Sequence, residues 1–107
     1  MNFPQDDSGD ALRRLYESGD SLTQERPVEF FVVFSKLGMA EMFSAEEAQA
    51  GIFSSIKISK IEGGFDAVLT VRMIPSYDEI VNIEEMLRSS SSRFDGYVDG
   101  WGCMAKN

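Results

Sequence analysis

At 107 residues the chain is long enough for one folded domain with a single core, and too short for two. Its ten basic and eighteen acidic residues give a net charge of −8, which opposes direct binding to nucleic-acid phosphates and favours a basic protein partner. The chain has no histidine and one cysteine, so the commonest metal ligand is missing, an internal disulfide is excluded, and we expect a cytoplasmic protein without metal or other cofactor.

The first elements predicted are a helix and a strand. Asp7 or Ser8 can cap a helix that reaches about Ser18, where Gly19 ends it. A polar connection leads to Pro27, and Val28–Phe34 is β-branched or aromatic at nearly every position, which is typical of a central strand. The apolar run within it is far shorter than the ~20 residues that cross a membrane, so no membrane span is expected.

The middle of the chain predicts a second helix and a hairpin. Residues 36–50 predict a weaker helix, which carries Met39, Met42, Phe43 and several alanines and ends at Gly51. Residues 52–59 and 65–74 are predicted strands, and the glycines at 63 and 64 between them suit a hairpin turn.

A capping box marks the start of the third helix. Ser76 and Glu79 can satisfy the first free amides, and apolar residues then recur at helical spacing. We expect the serine run 89–92 to fray this helix, and the last strand to begin near Phe94 or Asp95.

This order of elements predicts an α+β fold. Strand, helix, strand, strand, helix, strand is the βαββαβ pattern of a ferredoxin-like two-layer sandwich with a four-stranded antiparallel sheet, here with an additional N-terminal helix. We expect one domain over residues 1–107, with the N-terminal helix and connection in 1–26 and the sandwich in 27–104. One face of the sheet would not be covered by the two crossover helices.

The last strand holds the main candidate site. Residues two apart on a strand share a face, so Tyr97, Asp99 and Trp101 are predicted to project together. The same parity places Phe31 and Arg72 on the open face beside them. We interpret Phe31, Arg72, Tyr97, Asp99 and Trp101 as a partner-binding surface, since aromatic residues and arginine dominate interface energetics. The alternative is that the N-terminal helix covers Tyr97 and Trp101 and makes them core.

Four segments of the sequence resemble one family, the type B regulators of ribonuclease E activity. They are residues 3–15, 26–34, 73–80 and 97–102, in the family's order. The resemblance implies a ferredoxin-like sandwich without enzymatic activity, which restrains RNA cleavage by binding the non-catalytic scaffold of ribonuclease E. Arginine-rich segments of that scaffold would suit a chain of charge −8.

Other functions remain open from the sequence. The same topology serves small-molecule-sensing domains and RNA-recognition domains, although residues 67–73 lack the aromatics on which RNA bases stack. An immunity-type inhibitor of another protein is a further alternative. Catalysis is disfavoured, because Asp95 and Asp99 have no histidine or activated nucleophile beside them. The oligomeric state is not predicted.

Overall fold

The chain forms three helices and four strands, an α+β arrangement as predicted. The computed structural model describes residues 2–106. In chain order its elements are α1 (Asp7–Glu17), β1 (Arg26–Phe34), α2 (Leu37–Ala50), β2 (Ser55–Ile61), β3 (Gly64–Met73), α3 (Tyr77–Ser92) and β4 (Tyr97–Cys103).

The strands form one antiparallel sheet in the order β2-β3-β1-β4. β1 and β3 are therefore central and pair along the whole of β1, from Arg26 opposite Met73 to Phe34 opposite Phe65. The β-branched and aromatic residues of β1 fit this central position, because such side chains pack well on a pleated surface between two neighbours.

The core lies on one face of this sheet. Buried and less buried residues alternate along β1, so that every second side chain from Arg26 to Phe34 is buried. Buried apolar residues from the helices complete the core, and the Phe34 and Phe43 rings pack with centroids 5.1 Å apart. The buried apolar set is Leu12, Val28, Phe30, Val32, Phe34, Ala40, Phe43, Ala67, Leu69, Met73, Ile80 and Leu87.

All three helices lie on that same side of the sheet. α2 packs on β1, β2 and β3, and α3 packs on β1 and β4. α1 packs on α3, and its Leu12 joins the core. The N-terminal helix therefore does not cover the opposite face of the sheet, which leaves that face to solvent. No helix within residues 2–106 is both long and apolar enough to span a membrane.

The helix ends follow the local capping chemistry, with one correction. The N-cap of α1 is Asp6 and not Asp7 or Ser8, because the Asp6 carboxylate accepts a hydrogen bond from the Gly9 amide at 2.8 Å. The predicted cap of α3 is confirmed for the serine, since Ser76 Oγ accepts from the Glu79 amide. α2 ends at Gly51, whose φ of 74° is the left-handed conformation that favours glycine.

Two predicted boundaries near the C-terminus are wrong. The serine run stays helical to Ser92, because Leu87 and Ser91 of the last turns are fully buried, so packing outweighs the weak helix preference of serine. β4 begins only at Tyr97. Asp95 lies in the preceding turn, with a φ of 57° that is incompatible with an extended strand.

Candidate protein-binding site

The open face of the sheet carries three of the five predicted site residues. Phe31 is partly buried on central β1, Arg72 is exposed on β3, and Tyr97 is 59% exposed on edge strand β4. Val33 pairs with Tyr97 across the two strands, so aromatic and aliphatic surface is continuous between them. Exposed Glu29 lies on the same face of β1. The result is an apolar patch with charged side chains around it.

Arg72 is bound to a carboxylate from the N-terminal connection. Its Nε donates a hydrogen bond to Glu25 Oε1 at 2.7 Å, and both side chains are more than half exposed. Solvent screens such a pair, so its contribution to folding is small, about 0–1 kcal/mol. The Arg72 guanidinium is therefore held only weakly by Glu25.

Trp101 and Asp99 do not lie on the open face, and their predicted placement beside Tyr97 is wrong. Val98 pairs with Val32 and Gly100 pairs with Phe31, so Asp99 is an extra residue in β4 and forms a β-bulge. Beyond the bulge the alternation of faces is reversed. Trp101 pairs with buried Phe30 and therefore faces the helices.

Trp101 is fixed on the helix side by a chain of hydrogen bonds. Its indole Nε1 donates to Ser8 Oγ of α1 at 3.0 Å, and Ser8 Oγ donates to Glu84 Oε1 of α3 at 3.2 Å. Burial raises the pKa of the Glu84 carboxyl, because the charged form loses solvation there. The chain ties β4, α1 and α3 together at one point.

These three elements line a half-open cleft of about 540 Å³. Its wall contains the Asp6 carboxylate, which accepts a hydrogen bond from the Tyr77 hydroxyl. That bond lowers the pKa of Asp6 and raises the pKa of Tyr77. Asp99 also lines the cleft. The cleft as a whole is lined by Asp6, Asp7, Ser8, Ala11, Arg14, Tyr77, Val81, Glu84, Glu85, Arg88, Val98, Asp99, Gly100 and Trp101.

A buried ion pair anchors the C-terminal end of β4, and the sequence analysis missed it. Arg26 and Asp20 have fully buried side chains and form a two-pronged contact, in which Arg26 Nη2 donates to Asp20 Oδ1 at 3.0 Å. Arg26 also donates to the Met104 carbonyl, and the Lys106 amide donates to Asp20. The alternation along β1 could have revealed this pair, because it places Arg26 at a buried position. A buried cation requires an acidic partner, which here is Asp20.

Comparison with known protein families matches residues 5–103 to the family described as Regulator of ribonuclease activity B. The match covers nearly the whole chain. The chain belongs to this family. Among curated proteins no match is found.

The Regulator of ribonuclease activity B match includes all seven elements and both surfaces described above. The resemblance seen in the sequence is thereby confirmed. Members of this family are regulators, which supports a role in binding other proteins. On this family member the open face carries aromatic and charged side chains, and so does the cleft.

Proposed function

We propose that this protein is a non-enzymatic regulator that binds a protein partner, ribonuclease E or another basic protein, and thereby restrains RNA cleavage. The observation that carries the proposal is the family match over residues 5–103. A regulator of a nuclease acts by contact with a protein, and the charge of −8 favours a basic surface as that contact. The compartment expected for such a regulator is the cytoplasm.

We further assign the fold to the ferredoxin-like class with an added N-terminal helix. The strand order β2-β3-β1-β4 and the antiparallel pairing support this assignment. In this arrangement the helices occupy one face, and the other face is free to take a partner.

We assign the principal contact to the open face, which we define by Phe31, Arg72 and Tyr97. Tyr97 offers a large exposed ring, and Phe31 offers apolar surface from the centre of the sheet. Gly102 lies beside the Phe31 ring and adds no side chain over it, since a Cβ at that position would lie 3.8 Å from Phe31 Cε2. Aromatic residues and arginine are enriched in binding hot spots, and Arg72 lies toward the other end of this face, opposite Pro27.

The test is binding to the purified scaffold region of ribonuclease E by calorimetry. We expect Tyr97→Ala and Phe31→Ala each to weaken binding by about 30-fold or more, the loss of about 2 kcal/mol that defines a hot spot. The matched control is Met42→Ala, because Met42 is 50% exposed but lies on α2, in the helix layer.

Two results would contradict the proposal. Wild-type protein that does not bind the scaffold region would remove ribonuclease E as the target, and affinity capture with Tyr97→Ala as the comparison would then look for another basic protein. Equal binding by wild type, Tyr97→Ala and Phe31→Ala would remove the open face as the contact.

A further inference from the structure

We propose that the cleft between α1, α3 and β4 binds the guanidinium group of an arginine side chain presented by a protein partner. The cleft lies on the helix side of β4 and is separate from the open face. The inference rests on the proposed function only in that the regulated protein would supply the arginine. Binding of arginine itself can be tested without any partner.

Charge is the first observation that favours a cation. Five carboxylates line the cleft, from Asp6, Asp7, Glu84, Glu85 and Asp99, against two guanidinium groups. They come from α1 and the residue before it, from α3 and from β4, and they line one half-open volume of about 540 Å³. A field of one sign in a concave, partly desolvated site is stronger than the same charges on an open surface.

The aromatic side chain is the second observation, and it is independent of the first. Trp101 lines the cleft and is only partly buried. Its single N–H is already bonded to Ser8, so the ring surface left to a ligand is apolar carbon with a π-electron face. Tryptophan is the best aromatic partner for a cation in proteins.

Glu84 places one of the cleft's carboxylates close to the Trp101 ring. Its carboxylate accepts a bond from the same Ser8 hydroxyl that holds the indole. Its pKa is raised because burial removes water from the charged form. A cation bound over Trp101 would stabilise the charged form of the Glu84 carboxylate by direct attraction.

Guanidinium fits this arrangement better than ammonium does. A planar guanidinium can stack on the indole ring while its N–H groups point outward to carboxylates. An ammonium group directs its three donors differently and is more strongly hydrated, so it gains less from a partly desolvated ring. We therefore expect arginine to bind more tightly than lysine.

The chain's own arginines set the strength of binding. Arg14 and Arg88 also line the cleft. The charge of Arg88 partly offsets the rise in the pKa of Glu84 that burial causes. An incoming guanidinium is repelled by Arg88 and competes with it for Glu84. Removal of the Arg88 charge should therefore strengthen binding of an arginine ligand.

The experiment uses the only tryptophan of the chain as its reporter. Tryptophan-selective fluorescence is followed while the blocked tripeptide acetyl-Gly-Arg-Gly-amide is added to the full chain. Parallel titrations use the same tripeptide with lysine and with citrulline, which has the shape of arginine without its charge. We expect a saturable change with arginine, weaker binding with lysine, and no saturable response with citrulline.

Variants locate the binding. Glu84→Gln keeps an acceptor for Ser8, so it should fold normally but weaken arginine binding about tenfold, as expected for loss of one charge-assisted contact. Glu41→Gln removes the same charge from an exposed position on α2 and should leave binding unchanged. Arg88→Gln should tighten binding.

Specific results would overturn the inference. Equal responses to arginine and citrulline would exclude recognition of charge, and equal affinity for lysine would exclude recognition of guanidinium. Equal weakening by Glu84→Gln and Glu41→Gln would show attraction to the overall charge and not to the cleft. The proposal for the open face is tested separately. If it is wrong, Tyr97→Ala leaves binding to the scaffold intact, and this result does not depend on whether the arginine tripeptide binds the cleft.

Discussion

Tyr97 and Trp101 are four residues apart on the same strand, yet they belong to opposite sides of the molecule. Tyr97 precedes the bulge at Asp99 and is 59% exposed on the open face. Trp101 follows the bulge, faces the helices and is bonded to Ser8. One inserted residue thus divides β4 into two halves with different surroundings, and a single strand presents aromatic side chains to two separate surfaces.

The two halves also differ in how they are anchored. The Trp101 end is held by α1 and α3, and the tail just beyond it is held by the buried pair of Arg26 and Asp20. The Tyr97 end pairs with Val33 and has its ring in solvent. Substitutions at the Trp101 end should therefore lower stability, and substitutions at the Tyr97 end should leave stability nearly unchanged.

The largest effect is expected from Arg26→Met. It leaves the Asp20 carboxylate buried without its cation, so we expect a loss of about 3–5 kcal/mol in the free energy of unfolding. Arg72→Met is the matched control, because it removes an arginine from an exposed pair and should change stability by less than about 1 kcal/mol. Chemical denaturation measures both. Similar small losses would contradict the anchoring role of Arg26.

The same pair predicts a dependence of stability on pH. Hydrogen bonds from Arg26 hold the pKa of Asp20 far below its ordinary value. A carboxyl with a depressed folded-state pKa stabilises the fold above its unfolded pKa, about 3.9, and loses that contribution as the pH falls below it. The stability difference between wild type and Asp20→Asn should therefore be constant near neutral pH and shrink below about pH 4. A difference that stays constant down to pH 2 would contradict this account.

Trp101→Ala and Tyr97→Ala compare the two halves directly. Trp101→Ala removes a partly buried ring and its bond to Ser8, so we expect about 2–4 kcal/mol of destabilisation, near the low end of values for core aromatics. Tyr97→Ala removes an exposed ring and should change stability by about 0.5 kcal/mol or less. Thermal unfolding measures both changes. Equal destabilisation would mean that Tyr97 is also part of the core.

The hydrophobic pattern was sufficient to predict most of the fold. Buried and less buried residues alternate along β1, α3 begins after a serine cap, and α2 ends at Gly51. Each of these features depends on residues that are close together in sequence. The split of β4 was not predictable in this way. Alternation assigns faces correctly only while every residue pairs. A glycine within a strand, such as Gly100 or Gly102, can mark a bulge or a close approach of another element, and the residue type does not decide between the two.

The candidate site was therefore only partly predicted. Phe31, Arg72 and Tyr97 lie on the expected face because they precede the bulge or belong to regular strands. Asp99 and Trp101 were assigned to that face by alternation, and the bulge moved them into the cleft. The cleft itself depends on how α1 packs against α3, which is a long-range contact between residues 76 apart such as Ser8 and Glu84. Local patterns do not determine such a contact.

Gly100→Ala should disturb the boundary between the two halves, with a smaller loss of stability than Arg26→Met or Trp101→Ala. Gly100 has a φ of 132°, and a Cβ there would meet no atom within 4 Å. Any loss of stability must therefore come from the backbone conformation, for which we expect about 1–3 kcal/mol. Gly102→Ala is the control, since its Cβ would make an ordinary contact with Phe31 and should change stability by about 0.5 kcal/mol or less. Chemical denaturation compares the two. If Gly100→Ala is as stable as Gly102→Ala, the bulge does not depend on glycine, and the opposite placement of Tyr97 and Trp101 must be imposed by the contacts of Trp101 with the helices alone.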